Sequence, residues 1–345
     1  MNLLLNWHGL LLAALCLGYS AHAADVAPGG TVLPGDAVLQ GAGASFPAPL
    51  FQRWAADYKQ QTGVDVRFEA VGSGGGIARM AARLVDFGAT DAPLTEAALR
   101  EHGLQQFPVV IGGVVPVFNI TGIASDALRL TGEVLADIYL GRITRWNDPR
   151  LQAINSELNL PAANITVVQR SDASGTSYLW TQFLGSTSEA WRKQLGPATL
   201  TPAWPVGTGG VGNAGVASYV QRTRMSLGYV EYTYAAQRHL KTARLRNPAG
   251  VDVAPSTAAF AAAAASVNWA DGKQSLRSLV NAAGASSWPI AGASFVLLPQ
   301  ADRATDKGRA VLRFFHWALS SGQPQAAALD YVPLPPGSAG AFATP

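Results

Sequence analysis

The sequence predicts an α/β protein of about two domains, built on a mostly parallel sheet with helices on both faces. Three observations carry this. The chain has 345 residues, a length that suits roughly two domains. It is 48% hydrophobic and only 14% charged, the balance of a packed globular protein and not of a disordered one. From Gly41 onward, strand patterns alternate with helical patterns, and that order favours parallel strands joined by helices.

In chain order, Leu10–Leu17 is an apolar run followed by Ala21-His22-Ala23, the small-x-small pattern of a secretory signal peptide cleaved after residue 23. The run is too short to span a membrane. Residues 1–20 hold no Lys or Arg, which leaves the amino terminus and His8 as the positive end. Cys16, the only cysteine, lies in this segment behind Leu12-Ala13-Ala14-Leu15. A lipid acceptor at Cys16 would have bulky Leu15 where a small residue normally sits, so cleavage is the expectation. The mature chain then has no cysteine, which suits an oxidising compartment.

Ala24–Gln40, rich in Gly, Pro and Ala, reads as a flexible lead-in. Pro47–Gln61 places Leu50, Phe51, Trp54 and Tyr58 at helical spacing, with Gly63 positioned to stop the helix. Val64–Val71 alternates with period two as a strand does. A Gly-rich turn is expected at Gly72–Gly76, then a helical stretch through Leu84. Asp86–Ala89 is expected to be extended and Thr95–His102 helical. Pro108–Val117 is a nearly continuous apolar strand, long and buried enough to pass from one domain to another. Leu130–Tyr139 reads as helix, Asn164–Gln169 as strand and Ser174–Leu184 as helix. Ser294–Leu298 is a second apolar strand, behind Trp288-Pro289. Arg309–Ala318 gives a last amphipathic helix, and residues 334–345 show no helical pattern.

Charge excludes little but points away from nucleic acid. Twenty-five basic and 22 acidic residues give a net charge of +3 with no basic stripe, so neither nucleic acid nor an anionic membrane is an expected partner. The candidate chemistry lies instead at three helix starts of one design: Gly41–Pro47, Gly72–Gly76 and Ala173–Thr176. Each combines small residues, a hydroxyl and a following helix. A helix N-terminus offers unpaired N–H groups and partial positive charge to an anion, and Ser or Thr adds an O–H donor. Serine is also a preferred N-cap, so any one of these taken alone is more often a simple cap. Arg170, four residues before Ser174, is either a bidentate oxyanion donor or the partner of Asp172. Asp91, in Gly88–Pro93, is either a turn cap or an acceptor. As an acceptor it is useful only to an anion that carries a proton, which phosphate does at neutral pH and sulfate does not.

At these residues the sequence resembles the substrate-binding proteins of the phosphate-specific ABC importers, over roughly Gly41–Pro333. The motifs are GAGASFPAP at 41–49, VGSGGG at 71–76, VDFGATDAPL at 85–94 and VVQRSDASGTS at 167–177, with WPVGTGGVGNAGV at 204–216 and LGYVEYTYA at 227–235. The resemblance implies a two-lobed periplasmic-binding-protein fold of the class II type that closes on dehydrated phosphate. Lobe 1 would comprise 41–115 and 290–345, and lobe 2 would comprise 116–289. The linking strands would fall near Val109–Val117 and Trp288–Val296. It implies phosphate contacts from Ser45, Phe46, Ser73, Asp91, Arg170, Ser174, Gly175 and Thr176. Asp91 would take the phosphate proton, and Asp172 would support Arg170. It also implies a periplasmic monomer with no cofactor and no metal, whose partners are inorganic phosphate and the permease and ATPase of an ABC importer. Ser45 stands where relatives often have Thr, and Ala173 where Gly is frequent. Relatives often continue with another helix after Pro333.

Gly207–Gly212 matches the dinucleotide pattern G-x-G-x-x-G, but Trp204-Pro205 is poor context for the strand that pattern needs. Asp86-Phe87-Gly88 spells the kinase triplet without its companion motifs. His102, His239 and His316 are far apart in sequence and suggest neither a metal cluster nor a triad. A secreted phosphatase therefore lacks the residues it would need. A phosphate sensor of the same fold without an importer is the alternative binding protein.

Overall fold

The computed structural model describes residues 38–267, 269 and 278–334. The expected signal peptide, Cys16, most of the lead-in and the tail from 335 lie outside the described residues. The first half of the chain runs β1 (Val38–Gly43), α1 (Ala48–Thr62), β2 (Asp65–Ala70), α2 (Gly72–Ala81), β3 (Phe87–Thr90), α3 (Glu96–His102) and β4 (Leu104–Phe118). The middle runs β5 (Arg129–Leu130), α4 (Gly132–Tyr139), α5 (Pro149–Ala153), β6 (Thr166–Arg170), α6 (Gly175–Thr187), α7 (Glu189–Leu195), β7 (Thr208–Gly210), α8 (Gly212–Arg222), β8 (Ser226–Glu231) and α9 (Tyr232–Gln237). Then come β9 (Lys241–Thr242), β10 (Arg244–Arg246), β11 (Asp252–Val253), α10 (Thr257–Ala264), β12 (Ala291–Pro299), α11 (Asp306–Ser320) and α12 (Gln323–Ala328).

The main sheet of the described chain runs in the order β2-β1-β3-β12-β4-β8-β6-β7, with β9 also paired to β4, and β11-β10-β5 form a separate small sheet. The two wings of the main sheet are parallel: β1 pairs in parallel with β2 and β3, and β6 with β7 and β8. Its centre is antiparallel, at β3–β12, β12–β4 and β4–β8. The expected mostly parallel sheet is thus right for the wings and wrong for the strands between them. The reason lies in β4, buried along almost its whole length. Leu104–Gly113 pairs with β12, and Val114–Phe118 pairs with β8. A strand that serves both wings has no crossover helix to force parallel pairing.

Each wing has its own aromatic core. In the first, Phe51 from α1 meets Phe87 from β3 and Phe315 from α11, with centroids 5.8 Å apart for Phe51–Phe315 and 5.1 Å for Phe87–Phe315. Leu50, Phe51, Trp54 and Tyr58 are the buried stripe of α1, as their spacing predicts. In the second, Trp180 of α6 stacks on Tyr229 of β8 at 4.7 Å, with Tyr139 edge-on to Trp180. Fully burying one such ring contributes on the order of 1.5–3 kcal/mol.

Four local expectations change. The Gly72–Gly76 segment is the first turn of α2 and not a loop before it, entered through Gly72 at φ +80°. Leu130 pairs with β10 as a strand, and the helix begins only at Gly132 behind its Thr131 cap. Strand β1 starts at Val38, inside the expected lead-in, because buried Leu39 enters the core and Val38 pairs with Asp65. The Gly207–Gly212 stretch does contain a strand, β7, despite Trp204-Pro205, and α8 follows it.

Candidate functional site

The strands of both wings deliver their chain ends to one buried point. Ser45 and Phe46 follow β1, Ser73 opens α2, and Asp91 follows β3. From the other wing, Arg170 is the last residue of β6, Ser174 caps α6, and Gly175 and Thr176 begin it. All are buried, Asp91 to 1% exposure and Arg170 to 2%. Asp172 is partly buried beside them. The two wings touch here: the Gly175 N–H donates to Ser73 Oγ at 3.1 Å, although the residues are 102 positions apart.

Local chemistry explains each position. Ser174 Oγ accepts the Ser177 N–H at 3.1 Å, so it does serve as an N-cap. Gly175 must be glycine, because a Cβ there would lie 2.5 Å from Ser73 Oγ and 2.6 Å from Asp91 Oδ2. The Arg170 guanidinium donates from Nε and Nη2 to the two oxygens of Asp172, at 2.7 and 2.5 Å, and from Nη1 to Thr176 Oγ1 at 3.2 Å. A guanidinium carries five N–H donors, so one on each η nitrogen is left over. The Gly212 N–H donates to Asp172 Oδ1 at 3.0 Å. Burial pushes the Asp172 carboxyl up, but Arg170 and the Gly212 N–H outweigh it and hold the group below the usual range.

Asp91 is the opposite case. Burial drives its pKa up to about 7, against the lowering pull of a Ser294 hydrogen bond and of Arg170. Ser294 Oγ donates to Oδ1 at 2.6 Å. The other oxygen, Oδ2, is buried without a hydrogen-bond partner. A buried carboxylate oxygen left unpaired costs on the order of 1–3 kcal/mol or more unless something donates to it. Around this single acceptor stand hydroxyls, helix-start amides and a guanidinium, all able to donate. The arrangement suits a small oxyanion that accepts many hydrogen bonds and gives one.

Sequence reasoning missed several residues of this site. Asn213, fully buried in the first turn of α8, links Ser45, Thr176 and the Glu231 backbone. Its helix start follows the same Gly-rich design as the other three and could have been found that way. Ser294 was a lone hydroxyl in an apolar strand, a visible anomaly. Tyr229 donates to or accepts from Ser177 Oγ at 2.7 Å and accepts the Arg170 N–H at 3.3 Å. Tyr234 and Tyr331 donate to the Ser45 and Phe46 carbonyls at 2.7 and 2.6 Å, which fixes the loop before α1. The motif LGYVEYTYA at 227–235 contains Tyr229 and Tyr234 but gave them no contact, and nothing local announced Tyr331. The α8 N–H groups of Gly212 and Asn213 are spent on Asp172 and Ser45. That occupies the amides a dinucleotide phosphate would need.

A polar site enclosed between the two wings of one sheet, with donors converging from both, is that of a two-lobed α/β ligand-binding protein. A family model described as a PBP superfamily domain accordingly matches residues 25–321. The chain belongs to the PstS family of phosphate-binding proteins. It is 46% identical over 297 residues to Phosphate-binding protein PstS of Pasteurella multocida (strain Pm70), covering 86% of each chain. It is also 46% identical to the protein of that name from Haemophilus influenzae, over 86% of this chain and 89% of the relative. Among solved structures, a high affinity periplasmic phosphate-binding protein (PfluDING) bound with phosphate superposes with a TM-score of 0.70 at 23% identity, over 88% of this chain and 92% of that one. The Phosphate binding protein from Stenotrophomonas maltophilia gives 0.69 at 22% identity, over 89% and 94%. At those identities the structures show a shared fold.

Proposed function

We propose that the protein binds one inorganic phosphate ion between its two lobes and delivers it to an ABC importer, without chemical turnover. The observation that carries this reading is the buried, unpartnered Asp91 Oδ2 among donors from both wings. Monohydrogen phosphate offers what that geometry asks for: one P–O–H for Asp91 and otherwise only acceptors. The contacts are Ser45, Phe46, Ser73, Asp91, Arg170, Ser174, Gly175 and Thr176, with Asp172 holding the guanidinium in place. Closure strips water from the ion, and the fixed donors replace its hydration. Family membership supports delivery to permease and ATPase components.

The lobes comprise 41–115 with 290–345, and 116–289. Pairing of β4 with β12 over Leu104–Gly113 and with β8 beyond it supports that division. The protein works as a monomer in the periplasm after cleavage of residues 1–23. Among the described residues no helix is long and apolar enough to cross a membrane. The test is to strip the mature protein of ligand and titrate it by calorimetry with phosphate, sulfate and a phosphate monoester. Binding of phosphate alone, with the ester recovered intact, is the expected result. Uptake of sulfate with equal affinity, or hydrolysis of the ester, would reject the reading.

A further inference from the structure

Two of the site hydroxyls, those of Ser45 and Thr176, share a hydrogen-bonding state that the phosphate contacts alone do not explain. A hydroxyl has one hydrogen to give and two lone pairs to receive. Ser45 Oγ accepts from the Asn213 N–H at 3.1 Å and from Asn213 Nδ2 at 3.0 Å. Thr176 Oγ1 accepts from Arg170 Nη1 and from Asn213 Nδ2, both at 3.2 Å. In each case both lone pairs are engaged, and only the hydroxyl hydrogen is left for a ligand. Asn213 supplies three of these four donations. Its own orientation is not free, because Oδ1 accepts the Glu231 backbone N–H at 3.0 Å, a group that can only donate. The amide NH2 must therefore face the two hydroxyls.

We propose that Asn213 is a positioning and specificity-determining residue. By filling the lone pairs of Ser45 and Thr176 it compels both hydroxyls to donate, so the site favours the singly protonated phosphate ion over the doubly protonated one. Without Asn213, either hydroxyl is free to turn and accept from a second P–O–H. The residue also bonds across the cleft, from α8 and α6 in one wing to the loop after β1 in the other. This rests on the phosphate reading given above.

The experiment is phosphate calorimetry on the full mature chain and on Asn213→Leu, at pH 8.5 and pH 5.5. The variant is expected to bind about 10- to 100-fold more weakly at pH 8.5. At pH 5.5, where the doubly protonated ion dominates, the loss should shrink severalfold. The charged and titratable groups around the site are Asp91, Arg170, Asp172 and, behind Asn213, Glu231. All are present in both proteins, so the ratio of affinities isolates the amide. A double-mutant cycle with Ser45→Ala gives a second readout: the two substitutions should be strongly non-additive, because Asn213 acts through Ser45. Should Asn213→Leu not fold, Asn213→Ser, with one donor in place of two, enters the same cycle. Equal losses at both pH values, or additive effects, would make Asn213 a space-filling residue and overturn the assignment. A parent that takes up no phosphate would instead strike the functional reading itself.

Discussion

Replacing Asp91 by Asn tests the anion discrimination most directly. At pH 8 the parent carboxylate is ionised, since its pKa lies at about 7. A sulfate ion in the site would set an unprotonated oxygen against the unpaired Oδ2. Two charges about 4 Å apart in an effective dielectric of about 20 repel by about 4 kcal/mol, a factor on the order of a thousand in affinity. Phosphate escapes this because its proton lies between the oxygens, a charge-assisted bond contributing about 1.5–3 kcal/mol. Asp91→Asn turns the repelling oxygen into an amide that can donate. Sulfate affinity at pH 8 should then rise by roughly a thousandfold, while phosphate loses roughly 10- to 100-fold. Acidification should do part of the same to the parent. Below about pH 7 Asp91 gains a proton and becomes a donor, so sulfate binding should strengthen from pH 8 to 5.5 in the parent and stay flat in the variant. Competition calorimetry with both anions at both pH values reads all four numbers. A variant that rejects sulfate as strongly as the parent would refute the role of Asp91.

Three further outcomes follow from the same contacts. Arg170→Ala removes a guanidinium with two uncommitted N–H donors and leaves Asp172 without its charged partner, so phosphate affinity should fall by at least about a thousandfold; unchanged affinity in calorimetry would disprove the assigned site. Gly175→Ala places a methyl against Ser73 Oγ and Asp91, so the wings should fail to meet; a wild-type affinity would mean that this contact is dispensable. The ligand-free protein should lose stability as pH rises. Between the unfolded carboxyl value near 3.8 and the folded value of about 7, native Asp91 keeps a proton that the unfolded chain has released. Glu231, which burial also pushes up, adds a slope of the same sign. Urea midpoints should therefore drop from pH 5 to pH 7.5, and less steeply in Asp91→Asn; a parallel drop in both proteins would exclude Asp91 as the source.

Local signals in the sequence reached far. The α1 stripe, the long apolar β4 and the Ser174 cap depend on neighbours a few positions away, and such short-range preferences survive in any fold that accepts the segment. Alone they led only to an oxyanion site at several helix starts, with each serine more readily read as a cap. The motifs taken together supplied the family, and with it phosphate and the importer. What the local pattern could not hold was convergence. Ser294 reaches Asp91 across 203 positions, and Asn213 reaches Ser45 across 168. Those meetings exist because β12 and β4 run antiparallel between two parallel wings, and pairing between strands so distant is decided by the whole sheet. The lone pairs of the site hydroxyls and the raised pKa of Asp91 are likewise tertiary facts, since both come from burial and from partners that no neighbouring residue specifies.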